Sequence, residues 1–143
     1  MIDKTLKTRI GSTGEKIACE FLKNKKFVII TRNYRTKRGE IDIVARSKNG
    51  ALVFVEVKTF LENRTVHKFQ EERLKPEDNI TSKKLKKLSL LAYEYALSHE
   101  NLINDEAGWQ IDFIGITIYN DASSPLTINN KNCLIRHFEN IVP

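Results

Sequence analysis

Two cysteines, Cys19 and Cys133, are all the chain contains, and neither belongs to a CxxC pair or a Cys/His ligand spacing. That argues against a disulfide framework and a structural zinc site, and makes a reducing compartment the default. No apolar run approaches membrane-spanning length, and the polar stretch from Met1 to Gly11 lacks the apolar centre of a signal peptide. The expectation is a cytoplasmic protein with no membrane partner. A glycine-rich phosphate loop and a nucleophile elbow are also missing, which makes nucleotide hydrolysis and acyl transfer poor readings. The three histidines, His67, His99 and His137, show no ligand spacing and read as surface residues. Repeats and low-complexity tracts are absent.

What is present fits one domain over residues 1–143, enough chain to bury roughly two-thirds of its unfolded surface. Lysine and arginine number 24 against 18 acidic residues, a net charge of +6, which suits a polyanionic partner such as nucleic acid. Ser12 and Glu15 have capping-box spacing, so a first helix is expected from there to about Asn24, with Ile17, Ala18, Phe21 and Leu22 on one stripe. Strands are expected over Phe27–Tyr34, Glu40–Arg46 and Ala51–Phe60, the last two joined by the hairpin signal Asn49-Gly50. The charged stretch Leu61–Asn79 reads as a long functional or mobile connection. Thr81 or Ser82 then caps a second helix to about His99, with Leu85, Leu88, Leu91, Ala92, Tyr95 and Ala96 as its stripe. Trp109–Tyr119 and Cys133–Phe138 complete the strands. The order predicts an α/β fold, αβββαβ, with a central mixed sheet whose third and fourth strands are parallel and flanked by helices.

The chemistry concentrates on the second and third strands. A period of two separates Val53, Val55 and Val57 from Leu52, Phe54, Glu56 and Lys58, so Glu56 and Lys58 share a face. Glu40 and Asp42 share a face of the preceding strand. A strict two-residue turn at Asn49-Gly50 would oppose Asp42 to Val57; one extra loop residue or a bulge puts Asp42 beside Glu56. Two readings compete. One is a salt-bridged patch on a solvated sheet face. The other is a pair of carboxylates sharing Mg²⁺ or Mn²⁺ through hard oxygen ligands, with Lys58 orienting water or stabilising phosphoryl charge. Leu52-Val53-Phe54-Val55 before Glu56 argues for burial, and so for the second.

Gly39-Glu40-Ile41-Asp42 followed by Phe54-Val55-Glu56-Val57-Lys58 resembles the PD-(D/E)xK nuclease motif. It resembles in particular the YraN-like family of small bacterial proteins related to archaeal Holliday-junction resolvases. The resemblance extends over nearly the whole chain: Gly11 to Glu15, Arg32-Asn33-Tyr34-Arg35, Ile80-Thr81 with Lys84, Asp112, and Arg136-His137-Phe138-Glu139-Asn140. It implies a restriction-endonuclease-like fold, with Glu15, Asp42 and Glu56 around Mg²⁺ or Mn²⁺ and Lys58 as the catalytic lysine. For Glu15 the capping box remains a rival explanation. Lys84 falls inside the apolar arc of its helix, and either snorkels past the helix end or reaches the carboxylates. The sequence departs from the family at Phe60 and Gln110, where arginines are usual, and lacks a Phe-Gly in Leu61–Asn79.

Together these features predict a metal-dependent endonuclease on duplex or branched DNA, of the resolvase or repair type, and a homodimer as the natural way to meet two strands. Arg35, Lys37, Lys84, Lys86 and Lys87 are the candidate nucleic-acid contacts. The alternative is a catalytically inactive nuclease-like module that binds nucleic acid or a protein.

Overall fold

The computed structural model describes residues 4–63, 75–120 and 132–142. Among these residues nine elements follow in order: α1 (Lys4–Asn24), β1 (Val28–Thr36), β2 (Gly39–Arg46), β3 (Leu52–Asn63), α2 (Pro76–Asn79), α3 (Ser82–Ser98), a 3₁₀ turn (Glu100–Leu102), β4 (Trp109–Asn120) and β5 (Cys133–Phe138). The five strands form one sheet in the order β1-β2-β3-β4-β5. Only β3 and β4 run parallel; the other neighbours are antiparallel. This is the restriction-endonuclease-like αβββαβ arrangement with a central mixed sheet.

Alternation along the strands divides the core into two layers. Val53 and Val55 join Ile43, Ala45, Ile114, Ile116 and Ile118 against Ile10, Ile17, Ala18 and Leu22 of α1. Leu52 and Phe54 face the other way, with Val44 and Ile111, against Leu88, Leu91, Ala92 and Tyr95 of α3. Tyr95 anchors that layer, meeting Tyr34 and Phe54 edge-on at 4.9 and 5.5 Å. Each such pair adds about 0.5–1.5 kcal/mol beyond its buried area.

The first helix begins eight residues before the expected start. Ser12 is therefore exposed in mid-helix, not its cap, and the capping-box account of Glu15 fails. The reason lies in packing. Ile10, Gly14 and Ile17 are buried at helical spacing, so one stripe runs straight through the apparent boundary. Gly14 is a contact residue: a Cβ there would lie 1.8 Å from Thr59 Oγ1, so its absence lets α1 press onto β3. At α3 the expected cap holds, with Thr81 accepting a hydrogen bond from the Lys84 N–H at 3.1 Å. Most of the Leu61–Asn79 connection, His67 included, lies outside the described residues; β3 continues into it as far as Asn63, and Pro76–Asn79 forms a short helix. Among the described residues, no helix is long and apolar enough to cross a membrane.

Candidate functional site

The hairpin between β2 and β3 sets the geometry. Ser47 N–H donates to Ala51 O at 2.9 Å, closing a loop of Lys48, Asn49 and Gly50. Gly50 takes φ +91°, which glycine adopts at little cost. This three-residue loop supplies the one extra residue that a strict two-residue turn lacks. Arg46 therefore pairs with Leu52 and Ile43 with Val55, and the same register brings Asp42 opposite Glu56. At that step the ladder stops. Val57 N–H donates instead to Asp42 Oδ2 at 2.8 Å, so a side chain occupies the position of a strand-to-strand bond. β3 meanwhile continues beside β4 to Asn63.

Four carboxylates collect where β2 and β3 part. Asp42 and Glu56 are both buried. Burial, then the charge of Glu56, push the Asp42 carboxyl up to about 7, against the opposing bond from Val57. Glu15, from α1, contributes a smaller repulsion, as does Glu40. Glu15 itself is raised by burial, offset in part by Arg32, whose guanidinium lies 3.8 Å away, and by a hydrogen bond from Asn33. Glu40 stands at the exposed edge in an ion pair with Arg35 Nε at 3.2 Å.

Lys84 reaches the carboxylates, with its Nζ 2.5 Å from Glu56 Oε1. Partial burial pulls its ammonium down, but the hydrogen bond and charge of Glu56 outweigh that and hold it above the ordinary lysine value. The motif lysine is placed differently. Lys58 follows Glu56 by two residues, yet is exposed, with Nζ 5.7 Å from the Phe60 ring centroid. Lys37, Lys86 and Lys87 are exposed surface residues. A cleft of about 400 Å³ opens over Glu56, walled by Arg38, Gly39 and Glu40 on one side and Thr81, Lys83, Lys84 and Lys87 on the other.

Sequence reasoning missed three things. Arg32 and Asn33 bear directly on Glu15, a role that the resemblance of Arg32-Asn33-Tyr34-Arg35 to the family did not specify; Asn33 takes φ +53° inside a strand. His137 is not a surface residue: its side chain is 3% exposed and its Nε2 lies 2.7 Å from Oδ2 of the fully buried Asp112. His99 is also half-buried, stacked on Tyr95 at 3.9 Å with Nδ1 2.8 Å from the Tyr95 carbonyl. Both find partners that local spacing does not reveal. Gln110, in place of the family's usual arginine, donates to Asp112 Oδ1 at 2.8 Å.

Comparison with known proteins gives a consistent answer. A chain from Chloroflexus aurantiacus called a UPF0102 protein is 35% identical over 113 residues, covering 79% of this chain and 82% of its own. A UPF0102 protein of Desulforamulus reducens is 32% identical over 125 residues, 87% of this chain and 94% of its own. One from Clostridium botulinum is 56% identical over a shorter 50 residues, 35% of this chain and 40% of its own. The model described as "Uncharacterised protein family UPF0102" matches residues 14–116, a span holding Glu15, Asp42, Glu56, Lys58 and Lys84, and the chain belongs to that family, the YraN-like family.

Proposed function

We propose that the protein is a divalent-metal-dependent DNA endonuclease, hydrolysing phosphodiester bonds in branched or damaged DNA in the manner of a Holliday-junction resolvase. The observation that carries this reading is the pairing of Asp42 with Glu56, two buried carboxylates facing each other beneath a cleft whose α3 wall is cationic. Like charges so placed repel, and the raised Asp42 carboxyl expresses its burial and that repulsion together. A hard dication would relieve it, and an all-oxygen donor set suits Mg²⁺ or Mn²⁺ better than zinc.

Such an ion would supply Lewis-acid stabilisation of the phosphoryl oxygens and an acidified water. The protein's own residues do the placing. The Val57 N–H fixes one oxygen of Asp42, and Arg32 and Asn33 hold Glu15 in reserve from α1. The first turn of α3 contains Lys83 and Lys84 and no acid, so the helix N-terminus and its lysines attract the same sign of charge. Lys58, at the exposed end of the strand face, has the reach to turn from Phe60 towards a bound phosphate. Two strands to cut favour a symmetric homodimer.

The test is Mn²⁺-dependent cleavage of duplex, flapped, single-stranded and four-way DNA. Wild type is expected to cut at least one; Asp42→Asn to cut none; Lys58→Ala to lose about 10²–10³-fold in rate while keeping most DNA binding. Equal cleavage by Lys58→Ala would remove the role given to that residue. A second reading, binding without turnover, draws on the outward position of Lys58. DNA binding with no cleavage of any substrate would establish it.

A further inference from the structure

The acidic cluster has an internal charge balance that singles out Lys84. Glu15 has Arg32 at 3.8 Å, Glu40 has Arg35 at 3.2 Å, and Glu56 has Lys84 at 2.5 Å. Asp42 is held by the Val57 N–H and has no ion-pair partner among the described residues. Of the three cations, Arg32 and Arg35 come from β1 and serve the flanking carboxylates. Lys84 alone serves a residue of the central pair.

Its placement runs against helix electrostatics. A cation in the first turn faces the positive end of the helix dipole, so Lys84 sits there at a disadvantage that Glu56 offsets. Its hold is single. The Lys84 side chain is 54% exposed where Glu56 is 10% exposed, and one carboxylate oxygen is its contact. A half-exposed lysine on a flexible stem, gripping one oxygen, can swing away without burying its own charge, once another cation takes over the buried carboxylate. The same side chain lies on the wall of the cleft with Lys83 and Lys87, so leaving Glu56 takes its charge into the cleft, not away from it.

We infer that Lys84 is an exchangeable counter-ion of Glu56: it neutralises the carboxylate while no divalent cation is bound, and yields it when one binds, joining Lys83 and Lys87 as a third free lysine on the α3 wall of the cleft. This rests on the metal-dependent reading above and adds a regulation to it, in that loading the carboxylates also raises the positive charge offered to a phosphate. Lys84 is a positioning residue in this scheme. It orients Glu56 beforehand and the substrate afterwards.

Two measurements test the exchange without reference to cleavage. In wild type, trace labelling with an amine-reactive acylating reagent is read by mass spectrometry at Lys83, Lys84 and Lys87, with and without millimolar Mg²⁺. Lys84 is expected to gain reactivity several-fold on adding Mg²⁺, the other two to change little. In calorimetry, Lys84→Met is expected to bind Mn²⁺ several-fold more tightly than wild type, and more tightly than Lys87→Met, which controls for general loss of charge. Unchanged Lys84 labelling, or Mn²⁺ affinity in Lys84→Met no better than in Lys87→Met, overturns the proposal. A protein that shows the exchange but cuts no DNA loses the nuclease reading and keeps this one; one that cuts DNA with Lys84 unresponsive does the reverse. Mn²⁺ binding by neither protein removes both.

Discussion

Asp112 and Asp42 are both buried aspartates on inner strands, Asp112 on β4 and Asp42 on β2. Around Asp112 both oxygens are engaged. Oδ1 receives Gln110 Nε2 at 2.8 Å and the Asn140 N–H at 2.9 Å, and Oδ2 meets His137 Nε2 at 2.7 Å. Lys25 Nζ stands 2.8 Å from His137 Nδ1, and an ammonium can only donate. Both ring nitrogens of His137 are therefore engaged, and Phe21 and Phe27 pack edge-on against its ring. Asp112, His137 and Glu139 have the spacing of a metal site, but the first two are already saturated by protein groups. Asp42 has one backbone donor, a repelling neighbour and an open cleft nearby. A satisfied buried carboxylate holds the fold together, here by fastening β5 and the following chain to β4. A frustrated one is what the proposed cation would relieve.

The most damaging way to probe this contrast is Asp112→Ala. It strands His137, Gln110 and a backbone N–H in a dry site, and should cost about 3–5 kcal/mol in denaturant unfolding, each buried donor left unsatisfied contributing about 1–3 kcal/mol. A loss below about 1 kcal/mol would show that the clasp is not structural.

Asp42→Asn should act in the opposite direction. Because the folded carboxyl titrates near 7 and the unfolded one near 3.8, the native state binds the extra proton between those values. Its contribution to stability is then full below about pH 4 and is lost as pH rises through about 7. Metal-free wild type should weaken over that window, at up to about 1.4 kcal/mol for each step of one in pH. Asp42→Asn should flatten the slope, melt higher than wild type at alkaline pH, and lose any stabilisation by Mn²⁺. Parallel pH profiles for the two proteins would remove the idea of a strained Asp42.

Gly14→Ala sharpens the comparison with the smallest effect. Its Cβ would strike Thr59, including Cγ2 at 2.9 Å, so overpacking of about 1–3 kcal/mol opposes about 1 kcal/mol gained in helix propensity. The shift of α1 should move Glu15 and weaken Mn²⁺ stabilisation, with the Asp112 clasp intact. Unaltered melting and unaltered Mn²⁺ response would mean that α1 can give way at no cost.

Periodicity made much of this legible beforehand. The two faces of β3 and the buried stripe of α3 follow from spacings of two and of three to four, and Asn49-Gly50 fixed where the hairpin turns. Local patterns misled where packing overrode them: Ser12 and Glu15 look like a helix boundary, but α1 runs through them and Gly14 packs on Thr59. They were silent where partners lie far apart in the chain. Lys25 and His137 are 112 residues apart, and Asp112 and His137 are 25 apart, so the clasp could not be seen in sequence spacing. The outward turn of Lys58 onto Phe60 is a choice of rotamer, which strand alternation does not set.

The loop of Lys48, Asn49 and Gly50 also governs how this chain can change length. Deleting one of its residues would slide β2 by a single step against β3, opposing Asp42 to Val57 and turning each apolar residue of one strand towards the wrong layer. Two added residues would merely lengthen the hairpin by a rung, leaving every pairing above it in place. Insertions and deletions tolerated at this turn should therefore come in even steps, a rule that can be read from the lengths of related chains.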